Sequence, residues 1–519
     1  MPGDTFNITT SAVVRLQTPL TPIMDNMYMD TYYFYVPMRI IWSHAKNFFG
    51  ENADSPWIPQ TEYIIPTIKP PTNGFAEGTI ADYLGIPIGV EAGNLVKGIN
   101  ALPFRAYAEC CQQWFRDQNL TDPLVIPYGD ETVNGSNGSN YITDVAKGGK
   151  PFVVAKYHDY FTSCLPSPQK SQGVGVFSNE LGTQDPYISW VPVTTRSENA
   201  DISGVERAPF KFRSVQGQTD DSSVLRGGSS ISTNVYDAVF DFRQSGIDPN
   251  TEFQPLNLWA NVGQMELSIN QLRLAFQLQK FYEKNARAGT RYREILKEHF
   301  GVSSSDARMQ IPEYLGGHRF PLTIHQVANQ SQGSGENDFL GDLGAMSNTA
   351  DINEDFIKSF EEHGFVIGVC CVRYDHSYPQ GLERMWRRST KTDYYWPVFA
   401  NIGEQPVYKS EIMLDNSQTG TEVFGYQEAW AEYRYKPSRV SSSMRPNSSQ
   451  SLASWHLADN YQTVPSLSDS WIREDKTNVD RVLSVASSVV NQVFCDFYIK
   501  NIATRPMPMY SVPGLIDHH

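Results

Sequence analysis

Four oxygen-bearing side chains, Asp351, Asn353, Asp355 and Glu362, fall at the first, third, fifth and twelfth positions of a calcium-binding loop pattern. A calcium ion in such a loop draws hard oxygens from alternate residues and needs a glycine at the sixth position for the sharp turn. Phe356 stands at that position and Lys358 where an apolar residue is usual, so a polar segment leading into the apolar run at Phe365 is the default reading. A second cluster runs from Arg384 to Trp396 (RMWRRSTKTDYYW). Arg384, Arg387, Arg388 and Lys391 interleave there with Trp386, Tyr394, Tyr395 and Trp396. Cations beside stacking rings suit single-stranded nucleic acid, but an interface or core in which Arg stacks on aromatics is the default reading. A further basic run from Lys280 to Lys297 reads as a solvated or subunit-facing helix surface.

The search for catalytic machinery is negative. There is no GxxxxGK[ST] phosphate loop, no GxGxxG after a strand, no HExxH and no GxSxG. Gly333 to Gly344 is glycine-rich but has no Lys to reach a phosphate, so it reads as a loop. His318 and His325 sit in a stretch interrupted by Gly and Pro, and His518 and His519 read as a solvated tail. The six cysteines contain no CxxC, which leaves no zinc knuckle and no thioredoxin-type pair. Acidic pairs for glycosidase chemistry are available among 57 carboxylates, but nothing selects one. No metal or cofactor follows from these residues.

The elements that must position these residues are mainly β. Phe6, Ile8, Thr10 and Ala12 alternate with polar residues, the pattern of a half-buried strand. Asp30 to Val36 is aromatic and β-prone, and Pro37 stops it. Phe365 to Arg373, Glu432 to Lys436 and the alternating run from Val493 to Lys500 predict further strands. Phe152 to Thr162 also has strand character. Helices are expected near Ile41 to Phe49, after Pro103, from a Ser268-Gln271 capping box to Ala288, and over Thr290 to Phe300. The helix from Ser268 is apolar on two faces, so it should be packed on both sides.

Lys170 to Pro255 is rich in Ser, Gly, Thr and Gln and reads as a surface insertion. It divides the chain into residues 1–169, the insertion 170–255, and residues 256–519. Strands at both chain ends with long connections fit a sandwich or jelly roll better than a βαβ wind. The charge balance, 42 basic against 57 acidic residues, gives −15 over the 519 residues. That excludes a whole-surface affinity for nucleic acid or anionic membrane, though not a local basic patch. No signal peptide is visible, and no apolar run approaches membrane-spanning length.

Several blocks carry a resemblance. PGDTFN at Pro2–Asn7, TPIMDNMYMDTYYFYVP at Thr21–Pro37, YFTSCLPSPQK at Tyr160–Lys170, GLERMWRRSTKTDYYWPVFA and RPMPMYSVPGLID occur in order. The chain resembles the major capsid proteins of gokushoviruses, single-stranded DNA phages of the microvirus group. The resemblance covers nearly the whole chain except Lys170–Pro255. It implies a single eight-stranded viral jelly roll with very long loop insertions and a few helices. It implies pentamers closing into a T=1 icosahedral shell around a circular single-stranded DNA genome. It also implies a small basic DNA-packaging protein, other minor virion proteins, and host-receptor attachment through the insertion as a threefold protrusion. Assembly would take place in the bacterial host cytoplasm, without membrane insertion, and the protein would reside in the virion. The resemblance also implies an N-terminal arm ahead of the Pro2–Asp4 motif. The alternative class is a secreted or phage-associated β-rich glycan-binding enzyme, with aromatics lining a sugar groove.

Overall fold

The fold is drawn from a computed structural model that describes residues 1–52, 61–91, 98–171, 269–330, 341, 343–416 and 420–507. Between 172 and 268 it describes only the backbone of four short strands, Val193–Thr195, Phe212–Ser214, Phe253–Pro255 and Leu258–Ala260. The principal elements in chain order are β1 (Thr5–Leu16), β2 (Met27–Pro37), α1 (Leu102–Cys110), α2 (Ile269–Ala288), α3 (Tyr292–Phe300), β3 (Glu313–Gly316), β4 (Arg319–Pro321), β5 (Thr349–Ser359), β6 (Gly364–Tyr374), β7 (Glu404–Tyr408), β8 (Val423–Glu428) and β9 (Val493–Thr504). The chain divides into two compact units, Met1–Lys170 with Glu283–His519, and Ser171–Tyr282.

In the first unit two antiparallel sheets meet face to face. One has the order β5-β1-β9; in the other β2 pairs with β3, β4 and β6. The alternation in β1 explains why. Ile8, Thr10, Ala12, Val14 and Leu16 are buried, and the residues between them are less so. Ala12, Val14 and Leu16 pack with Met27 and Met29 of β2, while Ile8 packs with Tyr33, Tyr35 and Phe356. This is the geometry of a sandwich, in which inward faces of two sheets interdigitate.

The second face of β2 is also buried. Phe34 and Val36 pack on Leu102, Ala106 and Cys110 of α1, with Ile367 of β6. Pro103 sits in the first turn of α1, where its missing N–H costs nothing. The helix runs on through a π-helical turn, Cys111–Phe115. A strand covered on both faces should be apolar throughout, and the run MYMDTYYFYVP is so except at Asp30 and Thr31. Between β3 and β4, Gly317 touches β2 so closely that any Cβ would overlap the Thr31 carbonyl oxygen.

Three expectations need correction. Glu432 to Lys436 is not a strand: Trp430 adopts a left-handed conformation (φ 67°) after β8, and a 3-10 turn follows at Ala431–Tyr433. Phe152 to Thr162 contributes only an isolated bridge, Ala155 to Arg473, because its polar groups are held by turns and side chains. The helix expected near Ile41 to Phe49 is split: a four-residue helix, Met38–Ile41, ends at Ile41, and another, Ala45–Phe48, follows. The strands at Phe365 and Val493 and the helix closed by Gly301 occur where the patterns place them. Helix α2 is present, but Ile269, Leu274 and Phe276 on it are exposed rather than packed on both sides. Ser268 of its capping box, most of Gly333–Gly344, and His518 and His519 lie outside the described residues. No described helix is long and apolar enough to cross a membrane.

Candidate interaction surfaces

The basic-aromatic segment folds into two short 3-10 turns, Arg384–Arg387 and Lys391–Asp393, and a third, Pro397–Phe399, follows it directly. Its arginines turn inward. Arg388 lies 3.1 Å from Glu432, and Arg384 lies 3.8 Å from the same carboxylate and 3.9 Å from Glu411. Arg387 donates to the Ser410 hydroxyl at 2.7 Å and to the Gly420 carbonyl. Arg387 also stacks 4.5 Å from the Tyr408 ring, and Arg388 4.3 Å from Tyr433. Burial pushes the Glu411 carboxyl up, and the nearby Arg384 only partly opposes this. Arg384, Arg387 and Arg388 thus make these contacts within the chain, with Arg387 and Arg388 stacked on aromatic rings. What the segment shows to solvent is Trp386, Lys391, Tyr394, Tyr395 and Trp396. A groove of about 580 Å³ runs beside it, lined by Tyr160, Arg384, Trp386, Glu432 and Tyr435 among others.

The residues of the oxygen-ligand pattern are spread along a strand and the turn after it. Asp351, Asn353 and Asp355 lie on β5, an extended strand and not a loop, because β5 pairs with β1 along most of its length. Asp355 accepts from the Thr10 hydroxyl and from Asn353 Nδ2, while Glu362 pairs with Arg39 at 2.5 Å. Among the described residues no group of three His, Cys, Asp or Glu side chains is placed to hold a metal ion.

Two buried ionic clusters went unread in the sequence. Asp30, inside the aromatic strand β2, accepts from Arg319 at 2.6 Å, Arg373 at 2.5 Å and Tyr157 at 2.9 Å. Burial alone would raise its carboxyl, but these donors leave it below the usual range. A lone Asp within DTYYFYV, and an Arg closing the apolar run Phe365–Val372, were the available signals. The second cluster centres on His376. Its Nδ1 lies 2.8 Å from Asp459 and its Nε2 3.2 Å from Glu474. Burial disfavours the imidazolium, yet the two carboxylates override it and push the ring up to about 9. Lys156 stands 3.8 Å from Asp459, and Asn478 also donates to it. Asp459 and Glu474 lie 83 and 98 residues from His376 in sequence, so no local spacing announces the cluster.

None of this assembles a reactive centre. Buried charges pin loops to a sandwich, and aromatic side chains face outward. The comparisons with known proteins agree with that picture. Residues 1–515 match the family model described as "Capsid protein (F protein)". The chain belongs to the F capsid protein family. It is 42% identical over 520 residues to "Capsid protein VP1" of Spiroplasma virus 4, covering 99% of this chain and 90% of that one. It is 38% identical to "Capsid protein VP1" of Bdellovibrio phage phiMH2K, with the same coverage. Against "Capsid protein VP1" of Chlamydia phage 1 it is 35% identical over 563 residues, covering 99% and 91%. As an F-family capsid protein it is a structural component of the virion and not an enzyme, and it assembles into a multimeric capsid. The glycan-enzyme alternative is set aside.

Proposed function

We propose that this capsid protein is the major shell subunit of a microvirus-type phage, forming pentamers that close into a T=1 icosahedron around circular single-stranded DNA. The observation that carries the reading is the end-to-end family match together with relatives above one-third identity over the whole chain. The finer architecture we infer is the eight-stranded jelly roll. Its support is the sandwich of β5-β1-β9 against the sheet built on β2, with first and last long strands adjacent. A subunit of net charge −15 repels DNA phosphates. We therefore assign genome retention to a small basic DNA-packaging protein. Within the chain, Arg384, Trp386, Arg387, Arg388 and Lys391 are the candidate contact for single-stranded DNA, with Trp386 and Lys391 its solvent-facing part. Lys170–Pro255 is proposed as the host-attachment protrusion. Expression followed by sedimentation and negative-stain imaging tests the shell reading. Discrete shells or pentamers are expected; a chain that stays monomeric at every salt and concentration overturns it.

A further inference from the structure

The outward face of the β5-β1-β9 sheet has the composition of a surface meant to be covered. Residues directly opposite across the ladders share a face, so the registers define its rows. Ile357, Asn7 and Ile502 form one row; Glu354, Thr9 and Lys500 the next; Ile352, Ser11 and Tyr498 the third. Ile352 is 74% exposed, Ile357 72%, Tyr498 67% and Ile502 56%. Small polar side chains on β1 make a floor between two ridges, one on β5 and one on β9. Strands stand about 5 Å apart and alternate residues about 7 Å apart, so the ridges are about 10 Å apart. Each ridge has two large apolar residues flanking one charge, Glu354 on one side and Lys500 on the other. An isolated monomer gains nothing from four such residues in water.

Resting on the shell reading above, we propose that this face is an isologous two-fold interface between two copies of the chain. The occupant follows from charge and symmetry. A two-fold axis lying in the interface parallel to β1 turns the β5 ridge of one copy onto the β9 ridge of the other. Glu354 then faces Lys500 of the second copy, twice per contact. Ile357 meets Ile502 and Ile352 meets Tyr498 in the same operation. Both sheets keep their strand directions nearly aligned, the common packing of two twisted sheets. A nucleic acid fits this face less well. Its outward ionic residues in these rows sum to zero, and three of the four large apolar side chains are isoleucines, which cannot stack on bases as aromatic rings do. Three strands over these rows span about 15 by 17 Å, about 250 Å² per copy in projection, well below the roughly 800 Å² of a standard interface. The contact is accordingly weak alone and becomes effective when repeated around a closed assembly.

The test is charge complementation in trans. Glu354→Lys sets two cations against each other in every self-pair, and Lys500→Glu sets two anions. Each variant alone should assemble at least about tenfold less readily than the parent, as read by sedimentation across subunit concentration. Mixing the two variants restores both opposite-charge pairs between copies while leaving each copy uncorrected within itself. Assembly in the mixture should return to within about threefold of the parent. Thermal melts of each variant check that the exposed substitutions leave the fold intact. If the parent forms shells and the mixture does no better than either variant, the inference is overturned and the shell reading stands. If both variants assemble normally but differ in DNA content, the face belongs to the genome and the inference is again overturned. If the parent itself never assembles, the shell reading falls and takes this interface with it.

Discussion

At the scale of single residues, the chain's charges work inward. Arg388 is the clearest case: its guanidinium is spent on Glu432 and the Tyr433 ring. Arg388→Glu should therefore act on folding before it acts on any DNA contact. Setting two carboxylates together in a mostly buried site costs about 3 kcal/mol, and a lower Tm of the isolated subunit would show it. Unchanged melting with lost genome content would instead place the residue at the DNA. His376 gives a pH signature. Its folded value, about 9, lies above the ordinary 6.5 of the free side chain. A raised value means that protonation favours the folded state. That stabilisation is complete below about pH 6.5 and is lost as pH rises through about 9. Asp459 is shifted the other way; burial opposes its charge, but His376 and Lys156 hold the carboxyl low, so its share is lost in acid. Thermal melts from pH 6 to 10 should fall for the parent, whereas His376→Gln should start lower and slope less.

At the scale of elements, period and composition carried most of what was readable. The alternation in β1 and in β9, the aromatic run of β2 and the Gly301 stop of α3 are local signals, and the structure places those elements accordingly. Glu432–Lys436 misled because Tyr and alternation favour a strand, while Trp430 turns left-handed with its backbone N–H on Gln405 and its indole N–H on the Phe399 carbonyl. The arginine strip was legible only in part. Sequence shows cations beside rings, but the neutralising Glu411 and Glu432 arrive from other elements. Asp351, Asn353 and Asp355 match a loop pattern only in spacing, and pairing with β1 decides their geometry. The close approach at Gly317 gives the element-scale prediction. Gly317→Ala must push the β3–β4 turn away from Thr31, breaking the backbone contacts between His318 and Thr31. A loss of about 2 kcal/mol is expected in denaturant unfolding of the subunit. A neutral result would mean that the turn shifts without disturbing β2.

At the scale of the whole molecule, a capsid protein needs a rigid body and surfaces matched to copies of itself. The sandwich, the helix behind β2 and the buried ionic clusters supply the rigidity. Excising most of Lys170–Pro255 should leave a subunit that folds, since Met1–Lys170 and Glu283–His519 form a compact unit by themselves. Shells of the shortened chain should fail to adsorb to host cells in a binding assay. Adsorption at the parental level would remove the attachment role from this segment, and insoluble protein would show that folding depends on it. The register of β1 has a further consequence, in time and not in space. Its neighbours are β5, which begins at Thr349, and β9, which begins at Val493. A ribosome adding about 5 to 20 residues per second needs roughly half a minute or more to travel from the first strand to the last. Until β9 emerges, Ile502, Tyr498 and Lys500 do not exist and β1 has one edge open. A nascent chain therefore has no finished outer sheet to offer another copy, and the order of synthesis itself withholds assembly from incomplete subunits.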